Sequence, residues 1–98
     1  MKLNNDCMKA VLNYIVDHSG FDFDGSRIHQ KKINSCEMVE FLQKDNHFDK
    51  ETIVYAIVYA YKHKYIEVIS MPQLDNFMIS SFTIVDVTPL GYNYMNGL

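Results

Sequence analysis

The chain has 98 residues, 48% of them hydrophobic and 21% charged, with a formal net charge of −3. That size supports one globular core without a metal or disulfide staple, and the composition excludes a disordered or fibrous chain. No uncharged run approaches the roughly 20 apolar residues that cross a bilayer. The opening MKLNNDCMK carries an early Asp and no small-residue cleavage site, so it does not read as a signal peptide, and the cytoplasm is the expected compartment. Without a repeat, a low-complexity tract or a linker, residues 1–98 read as one domain.

Met8, Val11, Leu12, Ile15 and Val16 fall at i, i+3, i+4, i+7 and i+8, the stripe of a first amphipathic helix. Asn4 or Asn5 can cap it, and Ser19-Gly20 ends it. In FDFDGSRIHQ the Asp-Gly-Ser reads as a turn, and RIHQKKI is expected to add a short strand at one sheet edge. Asn34 and Glu37 have the spacing of a capping box, and the second helix after them buries Met38, Val39 and Leu42 before breaking near Asp45-Asn46. Asp49 is the expected cap of a third helix running to His63 or Lys64, with Phe48 and Ile53 placed as a hydrophobic staple. Ile53, Ile57, Ala60 and Tyr61 form its expected core stripe.

Two β-rich runs follow, YIEVIS and SFTIVDV, separated by the polar, Pro-containing MPQLDNFMI. Thr88-Pro89 opens a short last helix in which Tyr92 and Met95 are expected to pack back on the core, with Gly97 as its stop. Cys7 and Cys36 lie beside apolar helical positions and read as buried free thiols. The order helix, short strand, helix, helix, strand, strand, helix predicts an α+β fold of winged helix-turn-helix type. It has a three-helix core, a two-stranded β-wing and a short C-terminal helix.

Four stretches carry a family resemblance: MKLNNDCMKAVLNYI, KINSCEMVEFL, DKETIVYAIVYAYKHKYIEV and FTIVDVTPLGYNYM. Together they cover nearly the whole chain. Each resembles the corresponding segment of an uncharacterised winged-helix family of low-GC Gram-positive bacteria, their prophages and phages. The last segment is similar to that family's closing pattern of a strand, then Asp, a β-branched residue, Thr, two residues, Gly and an aromatic-bearing helix. Lys64 departs from the pattern, standing where the family usually has glycine. The sequence also ends at Leu98, where many members continue into a charged, Trp-containing tail. The resemblance implies a fold, a bacterial host cell and a mobile-element setting, and it implies no enzyme activity.

The residues themselves offer no catalytic constellation. His18, His29, His47 and His63 are scattered, without a His-x-x-x-His or Cys-x-x-Cys pair, and no glycine-rich phosphate loop is present. Asp22 and Asp24 flank Phe23 as a polar turn without a full calcium-loop pattern. No metal and no small-molecule cofactor is expected.

Charge is uneven. Residues 25–34 carry Arg27, Lys31 and Lys32 and no acid, whereas residues 35–51 carry five acids against Lys44 and Lys50. On a strand, Arg27, His29 and Lys31 share one face, which either contacts phosphates or is a solvated edge that discourages strand pairing.

On the third helix, Tyr55, Val58, Tyr59 and Lys62 point away from the core stripe, with Val54 at the border. A DNA-reading helix places Arg, Lys, Asn or Gln in its N-terminal half, and here that half offers Asp49, Lys50, Glu51 and Thr52. The exposed tyrosines and valine suit a protein interface, or else the last helix covers them. The expected role is therefore protein contact, as a homodimer or with a host factor. The alternative is a DNA-binding regulator using Lys50, Thr52, Tyr55 and Lys62 at the groove and Arg27, Lys31 and Lys32 on phosphates.

Overall fold

The computed structural model describes residues 2–69 and 83–97. The expected wing tip QLDNFMIS, with Asp75, lies outside the described residues. Asn4 caps helix α1 (Asn5–His18), its Oδ1 accepting from the Cys7 N–H at 2.9 Å. The stripe turns inward as its spacing requires: Met8, Val11, Leu12 and Ile15 are buried, and Val16 stands at the margin. Ser19 ends the helix, its hydroxyl donating to the Val16 carbonyl at 3.1 Å, and Gly20 turns the chain at φ 121°.

The segment expected as a single edge strand is divided. Arg27–Gln30 forms β2 of a separate antiparallel hairpin with β1 (Phe21–Asp24), and all eight residues are exposed. Gly25 at φ 61° opens the two-residue loop between them, as glycine does in type II′ turns. The strand that joins the main sheet is shorter and later, β3 (Ile33–Asn34). Only two residues are needed there because Asn34 already caps α2 (Ser35–Asp45). Its Oδ1 accepts from the N–H groups of Cys36 at 2.8 Å and Glu37 at 3.2 Å.

Met38, Val39 and Leu42 are buried on α2, as expected. The cysteines differ. Cys7 is sealed in the core, and burial pushes its thiol up to about 11, whereas Cys36 is half-buried, contrary to the expectation of two buried thiols. The chain turns at His47, φ 60°, into α3 (Lys50–Lys62). Phe48 packs against the core cluster to which buried Ile53 belongs, and the Asp49 cap acts through its backbone without a side-chain hydrogen bond. The inward face of α3 is Ile53, Ala56, Ile57 and Ala60. The true stripe is thus rotated from the expected one, and Tyr61 stands half-buried at its edge.

Helix α3 closes in a Schellman motif. The Tyr65 N–H donates to the Ala60 carbonyl at 2.8 Å, and the Lys64 N–H donates to that of Tyr61 at 3.1 Å. This geometry needs a left-handed residue, and Lys64 supplies it at φ 61°. A side chain in that region costs roughly 1–2 kcal/mol that glycine does not incur, partly offset by the greater freedom of unfolded glycine. Lys64→Gly is accordingly expected to stabilise the chain by about 1 kcal/mol, read as a higher denaturation midpoint at unchanged m-value.

Beyond the turn, β4 (Ile66–Val68) and β5 (Thr83–Val87) pair antiparallel, with a bulge between Glu67 and Val68. β5 also pairs with β3, so the three-stranded sheet runs β3-β5-β4 with β5 in the centre. Thr88 caps α4 (Pro89–Asn96), and Pro89 occupies its first turn. The buried face of α4 begins at Gly91, so helical spacing brings Tyr94 and Met95 onto the core. Tyr92, expected to pack there, is one residue off that face and remains 41% exposed. Helix α1 lies against α3 and β5 and touches α2 and α4, which closes the core. The architecture is α+β, four helices with small antiparallel sheets.

Candidate functional site

Tyr55, Tyr59 and His63 recur every four residues, so the pitch of α3 stacks them in one row on its outer side. Tyr55 and Tyr59 ring centroids are 6.4 Å apart, and Tyr59 and His63 stack at 4.2 Å. The Schellman turn then brings Tyr65 back beside the helix end, 6.4 Å from Tyr59 and 5.6 Å from His63. Tyr94 of α4 completes the row, stacked on Tyr65 at 4.5 Å. Burial, and then the neighbouring Tyr59 and Tyr65, raise the Tyr94 phenol above its ordinary value. The last helix covers this face only in part, and the tyrosines and valine expected to be exposed there are not fully so. Helix α4 joins the row through Tyr94, at the end remote from Tyr55. Tyr55, Val58 and Tyr59 are half-buried, and Lys62 is exposed beside them.

The candidate DNA contacts fall in two places. Lys50, exposed, and Thr52, half-buried, open α3 after the C-terminal end of α2. Lys31 and Lys32, also exposed, precede the N-terminal end of α2, so the helix of eleven residues stands between the two sets in the chain. Arg27 sits on the hairpin opposite Asp24, His29 opposite Asp22, and Lys31 Nζ is 3.7 Å from Asp22 Oδ1. Each base of the expected stripe thus has an acid beside it, a relation the one-strand reading of RIHQKKI missed.

Between the hairpin base, the end of α1 and the start of α2 lies a solvent-open cleft of about 440 Å³, where Lys31 and Lys32 face Asp22 and Glu37. Its charges are mixed in sign, unlike an enclosed, mainly apolar ligand pocket. At its wall Tyr14 stacks on His18 at 4.0 Å and meets Phe41 at 5.2 Å. Burial, followed by the Glu37 carboxylate, raises the Tyr14 phenol. Among the described residues no group of three or more His, Cys, Asp or Glu is placed to hold a metal ion, and no helix is long and apolar enough to cross a membrane.

His63, Tyr65 and Tyr94 were not among the expected site residues. The four-residue spacing of Tyr55, Tyr59 and His63 was the available signal, whereas Tyr65 and Tyr94 join through tertiary structure. No family model matches the chain, and no curated protein and no solved structure matches it either.

Proposed function

We propose that this chain is a winged-helix binding module without enzymatic activity. It is of phage or mobile-element origin and works by protein–protein contact in the bacterial cytoplasm, as a homodimer or on a host transcription or defence component. The winged-helix reading is supported by the order α1, β3, α2, α3, β4, β5, α4 that remains when the β1–β2 hairpin is set aside as an insertion after α1, and by the antiparallel sheet β3-β5-β4. No cofactor enters the activity.

The observation that carries the role is the aromatic row on the outer side of α3. Tyrosine gives large contact area with little loss of side-chain freedom, and such residues dominate interface energetics. With Val58 in its middle and Lys62 at its rim, the face has the makeup of an interface rather than of a base-reading surface. The opening turn of α3 sets Glu51 beside Lys50, and an acid there opposes phosphates.

The test is a nuclease-treated pull-down from host lysate, using the wild-type chain and a Tyr55→Ala, Tyr59→Ala variant. Hot-spot truncation costs at least about 2 kcal/mol, so a partner captured by the wild type is expected to lose about 30-fold or more in affinity. A folded double variant that keeps every partner refutes the reading.

The winged-helix arrangement also supports the alternative, a DNA-binding regulator. That function requires binding to its own upstream region that weakens with salt, by roughly one log–log unit per phosphate contact. Its contacts would be Arg27, Lys31, Lys32, Lys50 and Thr52.

A further inference from the structure

The β1–β2 hairpin has two unlike faces. The register Phe21↔Gln30 and Phe23↔Ile28 gathers Phe21, Phe23, Ile28 and Gln30 on one side, because directly opposed residues point the same way. The pairs Asp22↔His29 and Asp24↔Arg27 occupy the other side. Phe21, Phe23 and Ile28 are 55%, 74% and 62% exposed, a contiguous apolar patch on an arm of only two strands. Such a hairpin is marginal alone and gains stability when its apolar face is covered.

We propose that this face is a self-association surface on which two copies of the chain pack hairpin on hairpin about a two-fold axis. The surface is separate from the aromatic row of α3 and does not depend on the function proposed for that row.

Charge placement selects this occupant. Every charge of the hairpin lies on the opposite face, where Asp24 neighbours Arg27 and Lys31 lies 3.7 Å from Asp22. A strongly charged partner, nucleic acid included, therefore finds acids and bases already matched. Pairing two hairpins edge to edge about a two-fold axis is also disfavoured. Centred on β1, it sets Asp22 against Asp24 of the copy or one of them against itself, and along β2 it sets Arg27 against His29 or Lys31. Face-to-face packing buries no charge and leaves both charged faces in water, and an isologous contact needs only this one patch.

The area sets the strength. At about 150–250 Å² for a large side chain, the three residues leave roughly 350 Å² open per copy, or about 700 Å² in a pair. Gln30 and the flanking backbone carry the total towards the ~1,000 Å² at which specific contacts begin, so a micromolar dimer is expected rather than a permanent one.

Analytical ultracentrifugation from about 1 to 500 µM tests this, a range that brackets micromolar affinity. The wild-type mass is expected to rise from monomer to dimer, and Phe23→Asp is expected to need at least about 30-fold higher concentration to dimerise, so that it stays monomeric where the wild type is half-dimeric. Because Phe23 is exposed in the monomer, its variant should keep the wild-type melting curve at low concentration, and Ile28→Lys serves as a second variant with the same expectation. The Tyr55→Ala, Tyr59→Ala variant should dimerise as the wild type does. A wild-type chain monomeric throughout, or a dimer that Phe23→Asp and Ile28→Lys leave intact, overturns the proposal. If the tyrosine variant alone abolishes the dimer, self-association belongs to α3, which overturns this inference and supports the function proposed above.

Discussion

Replacing Gly91 by alanine is expected to destabilise the chain by about 3 kcal/mol, the upper part of the range for overpacking a filled site. Gly91 is buried where α4 crosses the start of β4, and a Cβ there runs into the Tyr65 carbonyl oxygen and Val87 Cγ1. The Tyr65 carbonyl belongs to the backbone and accepts from the Thr88 N–H at 2.9 Å, so it cannot move aside without breaking the junction. The helix must lift instead, and Tyr94 and Met95 lift with it. For a domain of this size, 1 kcal/mol is worth about 4–8 °C, so the midpoint should fall by more than about 10 °C. Gly97→Ala is the control: a Cβ there meets its nearest described atom at 3.6 Å, an ordinary contact, and should shift the midpoint little.

Thr88→Val is expected to cost about 2 kcal/mol by the same measurement, the combined loss of a cap and a tertiary hydrogen bond. The Thr88 hydroxyl donates to the Lys64 carbonyl at 2.6 Å and accepts from the Gly91 N–H at 3.1 Å. It thereby satisfies the carbonyl of the left-handed residue in the turn after α3 and an orphan donor at the start of α4. Valine keeps the shape and removes both bonds. Thr88→Ser keeps both and should lose less than about 1 kcal/mol, separating hydrogen bonding from packing. A loss equal in both variants would show that the hydroxyl contributes nothing.

The Thr-x-x-Gly spacing thus has a physical task in this chain. The threonine caps and ties, and the glycine admits the backbone of another element. The turn after α3 likewise has a physical demand, a left-handed residue, and Lys64 meets it at φ 61°.

Helices were legible wherever burial left a period and a cap left a side chain. The α1 stripe, the Asn4, Asn34 and Thr88 caps and the break at Asn46 all follow from local chemistry. The hairpin was legible only in part. Phe21-Asp22-Phe23-Asp24 alternates with period two, and Gly25 marks the turn, yet both faces are exposed, so no burial separated strand from loop. Its partner Arg27–Gln30 lies outside the sheet it was expected to edge, because two-residue β3, which does edge that sheet, is too short to leave a pattern. On α3 the tyrosine row was visible, but the place of Tyr61 depended on which neighbours fill the core. Ala56 takes a buried place on α3, which leaves Tyr61 at the margin, and composition alone does not convey that rotation. The pairing of Arg27 with Asp24 and Lys31 with Asp22 likewise needed the hairpin register before it could be read.

The central position of β5 bears on how the chain is made. β3 and β4 flank β5, and α1 packs against β5, so the first helix emerging in translation finds much of its lid in residues 83–87. A nascent chain released through β4 still has two edge strands with no centre and a helix with its apolar stripe part-covered. Since these contacts span most of the sequence, the entropy of closing that long loop falls due late, and native structure should appear only once β5 has left the ribosome. Until then, Met8, Leu12 and Ile15 are the residues a ribosome-associated chaperone would meet.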